Sequence, residues 1–187
     1  MFLRRILALF LITVSTTVLA DAFDINMNDN SVQLQYGASM GHDTLGKSEL
    51  HFGYLYTSDK NSYGDLGIMV KDEVGSSAPG VTVGVSIKGL LAKGENYDAS
   101  ALAIGVLARY APFPDKRFGI SGLVYLSPNI VTFGDADRYI ETGARLDYEV
   151  IPQAVVYLGY RKIAFNLNQS IDATLDEGAI IGVRVSF

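Results

Sequence analysis

Tyr139-Ile140-Glu141-Thr142-Gly143-Ala144-Arg145-Leu146-Asp147-Tyr148-Glu149-Val150 decides how this chain folds. Drawn as a strand, the segment puts Ile140, Thr142, Ala144, Leu146, Tyr148 and Val150 on one face. Tyr139, Glu141, Gly143, Arg145, Asp147 and Glu149 fall on the other, because successive side chains of an extended chain point to opposite sides. A helix would split the first set between two opposite sides, Ile140, Ala144 and Tyr148 against Thr142, Leu146 and Val150. The period is two.

The same alternation runs outward in both directions. Downstream, Ala154, Val156, Leu158 and Tyr160 oppose Val155, Tyr157, Gly159 and Arg161, and Ala179, Ile181, Val183, Val185 and Phe187 oppose Gly178, Ile180, Gly182, Arg184 and Ser186. Upstream, strands are predicted over Ser31–Met40, Glu49–Thr57, Asp65–Lys71 (with Met69 out of phase), Val81–Lys88 and Ala101–Tyr110. Phe118–Ser127 is weaker, because Leu123 and Tyr125 share a face with Gly119, Ser121 and Ser127. These make nine strands, and single-chain bacterial barrels have an even number. Ala22–Asn28 supplies a tenth, with Phe23, Ile25 and Met27 alternating and Asp29-Asn30 as a turn. Eight strands remain the alternative, if the first segment and one near Met69 drop out.

The connectors are expected to alternate in length. Short breaks stand at Pro112–Lys116 and Ile151–Gln153, and longer polar ones at Ala92–Asp98, Pro128–Asp137 and Asn166–Asp176. Short turns on one rim and long loops on the other are the build of outer-membrane barrels.

A water-soluble barrel alternates too, so the character of the two faces matters more than the period. Here one face is bulky and uncharged, while the other mixes Gly, Ala and Ser with Glu, Asp, Arg and Lys. A barrel of eight to ten strands has a narrow interior, which suits the small-residue face. The bulky face then meets hydrocarbon, where sheet closure alone can pair every backbone group. The fold class read from the residues is therefore all-β, a transmembrane antiparallel up-and-down β-barrel of ten strands. The eleven tyrosines and nine phenylalanines, many at strand ends, fit interfacial girdles.

Composition narrows the function classes. Arg4 and Arg5, an apolar stretch from Ile6 to Leu19 and small residues before Asp21 are the pattern of a cleavable secretory signal over residues 1–20. Residues 21–187 are then a single barrel domain. Losing Arg4 and Arg5 takes the 15 basic residues to 13 against 20 acidic, a balance that gives no electrostatic case for nucleic acid. There is no cysteine, so neither disulfide staples nor thiolate chemistry is available.

Leu126-Ser127-Pro128-Asn129, the run Glu141-Thr142-Gly143-Ala144-Arg145, Leu158-Gly159-Tyr160-Arg161 and the ending Ile181-Gly182-Val183-Arg184-Val185-Ser186-Phe187 resemble the YfaZ family of bacterial outer-membrane proteins, most densely from Arg117 onward. The resemblance implies an outer-membrane barrel with no established activity, and it carries over no functional residues.

The candidate site is the charge on the small-residue face. Arg109, Glu141, Arg145, Asp147, Arg161 and Arg184 are expected to point into the lumen as an ion-pair network, with Glu149 on the same face and Lys88 further round. A charge in so narrow a space must be paired or hydrated. Such a network either fills the lumen or constricts a small pore. Ile181, Val183, Val185 and Phe187 resemble the C-terminal signature read by barrel-insertion machinery.

Only His42 and His51 could serve as imidazole bases, with Ser48 and Asp65 as conceivable companions, and the pattern does not indicate a hydrolase. Two histidines and no cysteine also argue against a zinc site. No catalytic residue, cofactor or metal is expected. Asp72-Glu73, Asp135, Asp137, Asp172 and Asp176-Glu177 read as solvated loop charge, with divalent-cation binding near the lipopolysaccharide surface as the alternative. The expected function is a non-enzymatic barrel in the cell outer membrane, structural or a narrow porin-like channel for small solutes. A surface interaction or adhesion barrel acting through long loops is the alternative, and a lipid-modifying enzyme is least favoured. Its expected surroundings are outer-membrane lipid and lipopolysaccharide. The residues assign no oligomeric state.

Overall fold

The computed structural model describes residues 21–43, 46–75, 78–94, 97–167 and 171–187, so the expected signal at residues 1–20 lies outside the described residues. The strands are β1 (Ala22–Met27), β2 (Ser31–Asp43), β3 (Gly46–Thr57), β4 (Ser62–Glu73), β5 (Val81–Lys93), β6 (Asp98–Tyr110), β7 (Phe118–Ser127), β8 (Thr132–Gly134), β9 (Ala136–Ile151), β10 (Ala154–Leu167) and β11 (Ile171–Ser186). Ten of them form the wall. Each pairs antiparallel with its neighbour in sequence, β7 passing over the three-residue β8 to pair with β9.

The sheet closes where β1 pairs with β11, from Ala22↔Ser186 to Met27↔Ile181. Backbone bonds in both directions between Asp21 and Phe187, at 3.0 and 2.9 Å, carry the closure one residue further. The ten-stranded count holds, and the segment that completes it is the weak first one. Its turn is set by Asn28, whose Oδ1 accepts from the backbone N–H of Asn30 at 2.8 Å and of Ser31 at 2.6 Å. That is the local hydrogen-bonding habit that favours Asn in turns.

The large aliphatic side chains point outward. Val85, Ile104 and Leu158 are 61%, 63% and 60% exposed, and Leu66, Ile87 and Ile181 are more than half exposed as well. A soluble monomer rarely shows a contiguous apolar patch above a few hundred Å². This belt runs right round the wall.

The alternation of connector length does not hold. Ala92, Lys93 and Asp98 of the expected Ala92–Asp98 connector belong to strands, because β5 and β6 stay paired up to Lys93↔Asp98. The described residues of Asn166–Asp176 are likewise strand, with Asn166↔Asp172 and Leu167↔Ile171 in register. Polar residues continue a strand wherever both of its faces leave the apolar zone, so polarity alone did not mark a loop. Pro128–Asp137 is a true connector, containing a 3-10 turn at Asn129–Val131 and then β8, which docks on Ala99–Ala101 of β6. The breaks after β4 and β6, at positions 74–80 and 111–117 on the rim that holds both termini, are longer than four of the five on the other rim.

Candidate functional site: the lumen

The lumen is filled in layers. Toward the rim away from the termini, Leu55 (β3), Tyr63 (β4), Leu90 (β5), Tyr139 (β9), Ile163 and Phe165 (β10) and Leu175 (β11) pack into one cluster with Ala92, Ala99, Ala101 and Ala103. Leu55, Tyr139, Ile163 and Phe165 have no exposed surface at all. The rings of Tyr63 and Tyr139 stack at 6.4 Å with their hydroxyls 3.0 Å apart, and Phe165 tilts against Tyr139 at 5.1 Å. The alanines of β5 and β6 leave the space that these rings occupy.

A layer of buried charge lies against the cluster. Lys88 Nζ bonds Glu141 Oε2 across the lumen, and the Tyr139 hydroxyl donates to the same oxygen at 2.5 Å. The ammonium stands 4.0 Å from the centre of the Tyr125 ring, 5.5 Å from Tyr63 and 5.7 Å from Tyr139. A desolvated cation among three π-faces is a favourable arrangement. Beside it, Arg161 donates from Nε to Asp176 at 2.8 Å, from Nη1 to Asn26 at 2.6 Å and to Gln33, and from Nη2 to Ser31 at 3.1 Å. The guanidinium fork is thereby almost completely used.

Below this layer, toward the termini, the lumen opens. A cavity of ≈ 410 Å³ is lined in part by Arg109, Arg145, Asp147, Glu149 and Arg184, and a smaller one of ≈ 120 Å³ leads inward to His51, Asp65 and Lys88. Arg109 grips Asp147 through Nε at 3.1 Å and Nη2 at 2.6 Å. Glu49 takes Lys71 at 2.6 Å and Arg184 at 3.1 Å. Arg145 lies over the Tyr157 ring at 4.6 Å and reaches Asp24 only at 3.8 Å.

The six lumen residues read from the sequence therefore share one interior but not one network. Arg109 and Asp147 meet directly. Glu141, Arg161 and Arg184 find partners elsewhere, in Lys88, Asp176 and Glu49. The side chain of Arg145 makes no hydrogen bond among the described residues, only the contacts to Tyr157 and Asp24. Asp176, read as solvated loop charge, is buried against Arg161. Asp135 remains at the rim, where it accepts from the backbone N–H of Asp98, while the side chain of Asp172 lies outside the described residues.

The aromatic cluster went unread, although Met69, Leu123 and Tyr125, the residues that spoil the alternation, all line the inner cavity. Glycines on the inward face also do more than keep the lumen wide. A Cβ at Gly105 would strike the Tyr125 ring, and one at Gly182 the Tyr157 ring.

His51 Nε2 lies 3.5 Å from Asp65 Oδ1. Ser48 is three residues from His51 on β3, hence on the opposite face of the strand, and the two cannot form a nucleophile–base pair. The side chain of His42 lies outside the described residues.

A closed antiparallel barrel of ten strands, aliphatic outside and ion-lined within, has the porin-like build of outer-membrane proteins. Two solved structures share the architecture. A structure described as NanC porin is 10% identical, with a TM-score of 0.50, over 91% of this chain and 100% of that one. KdgM porin is 11% identical, with a TM-score of 0.50, over 90% and 99%. At these identities the likeness is one of fold. The family described as YfaZ precursor matches residues 3–187, and the chain belongs to the YfaZ family. No curated protein sequence matches it.

Proposed function

We propose that the protein is a non-enzymatic barrel of the bacterial outer membrane, porin-like in build, whose lumen is closed to solutes at rest. The observation that carries this reading is the sealed cluster of Leu55, Tyr139, Ile163 and Phe165, which lies between the charged cavity and the far rim. A conducting pore needs a continuous wet path, and an apolar constriction excludes water. On this reading the termini and the wide cavity face the periplasm, and any small-solute passage requires the cluster to part. Ile181, Val183, Val185 and Phe187 form the outward face of the closing strand, where barrel-insertion machinery would meet them.

Planar-bilayer recording with the purified, refolded protein tests the proposal. The wild type is expected to be silent, and a Tyr139→Ala/Phe165→Ala double variant to show discrete unitary steps. Steady unitary conductance from the wild type would overturn the closed-lumen reading.

A further inference from the structure

The blind end of the cavity holds polar atoms that the protein leaves without a hydrogen bond, although His51 Nε2 and Asp65 Oδ1 are neighbours at 3.5 Å. His51 Nδ1, His51 Nε2 and Asp65 Oδ2 are buried and make no hydrogen bond, and Asp65 is 4% exposed. An orphaned donor or acceptor of this kind has given up its water for nothing, at a greater cost when charged, so such groups call for an occupant. A neutral imidazole asks for one donor and one acceptor, and a carboxylate asks for donors. Both residues line the ≈ 120 Å³ cavity, which has room for a few waters or one small solute.

The charge around that cavity indicates which solute. Its lining carries four carboxylates and four Lys or Arg side chains, a balance that favours neither a net anion nor a net cation. Most of these groups are engaged with each other: Glu49 by Lys71 and Arg184, Glu141 by Lys88 and Tyr139, and Asp24 by the Tyr157 hydroxyl at 2.5 Å. What remains is a carboxylate oxygen on β4 and, four strands away round the wall, the guanidinium of Arg145 on β9. Arg145 lines the cavity with an ionic neighbour in Asp24 at 3.8 Å and the Tyr157 ring beneath it, and its guanidinium makes no hydrogen bond among the described residues. Asp65, with one oxygen near His51 and the other without a hydrogen bond, and Arg145, near only Asp24, line the same small space and match a molecule with opposite charges at its two ends.

We infer that this cavity is a binding site for a small zwitterionic solute, its ammonium group held by Asp65 with His51 and its carboxylate by the fork of Arg145. An ammonium donates three hydrogens and fits the orphaned acceptors, while a carboxylate is the natural bidentate partner of arginine. The larger cavity, which shares Asp24, Lys71 and Arg145 with the inner one, is the route in from the rim of the termini. The site rests on the closed-lumen reading only in that a sealed far side makes it a pocket rather than a stage in a passage.

Titration calorimetry on the folded full-length barrel in detergent, with β-alanine as the zwitterion and ethylammonium and propionate as single-charge probes, tests the inference. β-Alanine is expected to bind saturably, and each single-charge probe at least tenfold more weakly. Asp65→Asn and Arg145→Gln should each weaken β-alanine at least tenfold while leaving heat-modifiable electrophoretic mobility intact. No saturable heat from β-alanine, equal binding of all three probes, or variants that bind as the wild type would each overturn it and leave water as the occupant. A conducting wild type that still bound β-alanine would overturn the closed lumen alone, and a silent one that bound nothing would overturn this site alone.

Discussion

Lys88 concentrates the physics of the interior in one side chain. It crosses from β5 to Glu141 on β9, inside a barrel that leaves it almost no water, with tyrosine rings around the ammonium. Removing one member of such a buried pair strands the other, at a cost of about 3–5 kcal/mol. Lys88→Met is therefore expected to lower the urea unfolding free energy in lipid vesicles by about that much. Lys88→Met combined with Glu141→Leu should recover most of the loss, since an apolar pair of similar volume leaves nothing uncompensated. A double variant as unstable as the single one would show that the pair acts through something besides its own charge balance. The sequence showed Lys88 and Glu141 on the inward face but not their partnership. Alternation gives a residue's side of the sheet, whereas partners across a lumen depend on closure and strand tilt. For the same reason Arg184 finds Glu49, 135 residues away, instead of a charge on a neighbouring strand.

At the level of the strand, the alternating face was legible wherever the inward side held small or charged residues, as in β9, β10 and β11. It blurred where the interior itself is apolar. Tyr63, Leu90 and Phe165 are inward by position and buried, yet by composition they look like the lipid-facing set. Connector lengths blurred for a related reason, since the strands continue as paired ribbons after the aliphatic belt stops. The belt makes its own prediction. Ile87→Arg places a charge on the outward face of β5 and should destabilise the barrel in bilayers by about 2–4 kcal/mol. Ser86→Ala, one residue along and inward, removes a bond from its hydroxyl to the Ile68 carbonyl at 3.0 Å and should cost only about 1 kcal/mol. Equal effects at both positions, read from unfolding in vesicles, would mean that the two faces do not differ in surroundings.

For the whole molecule, the central claim is orientation: hydrocarbon outside, ions and a packed aromatic cluster inside, and one rim holding both termini. Because the chain has no cysteine, single cysteines report sidedness without background. Asp59→Cys, in the turn between β3 and β4, should react with a membrane-impermeant maleimide on intact cells. Asp115→Cys, on the rim of the termini, should react only after the outer membrane is permeabilised. The chain also lacks tryptophan, which allows the most direct measurement of the claim. Ile104→Trp on the outward face of β6 and Leu123→Trp on the inward face of β7 are refolded into vesicles whose acyl chains carry bromine. Strong quenching of the tryptophan at 104 with little at 123 is the predicted result, and the reverse pattern would contradict the account.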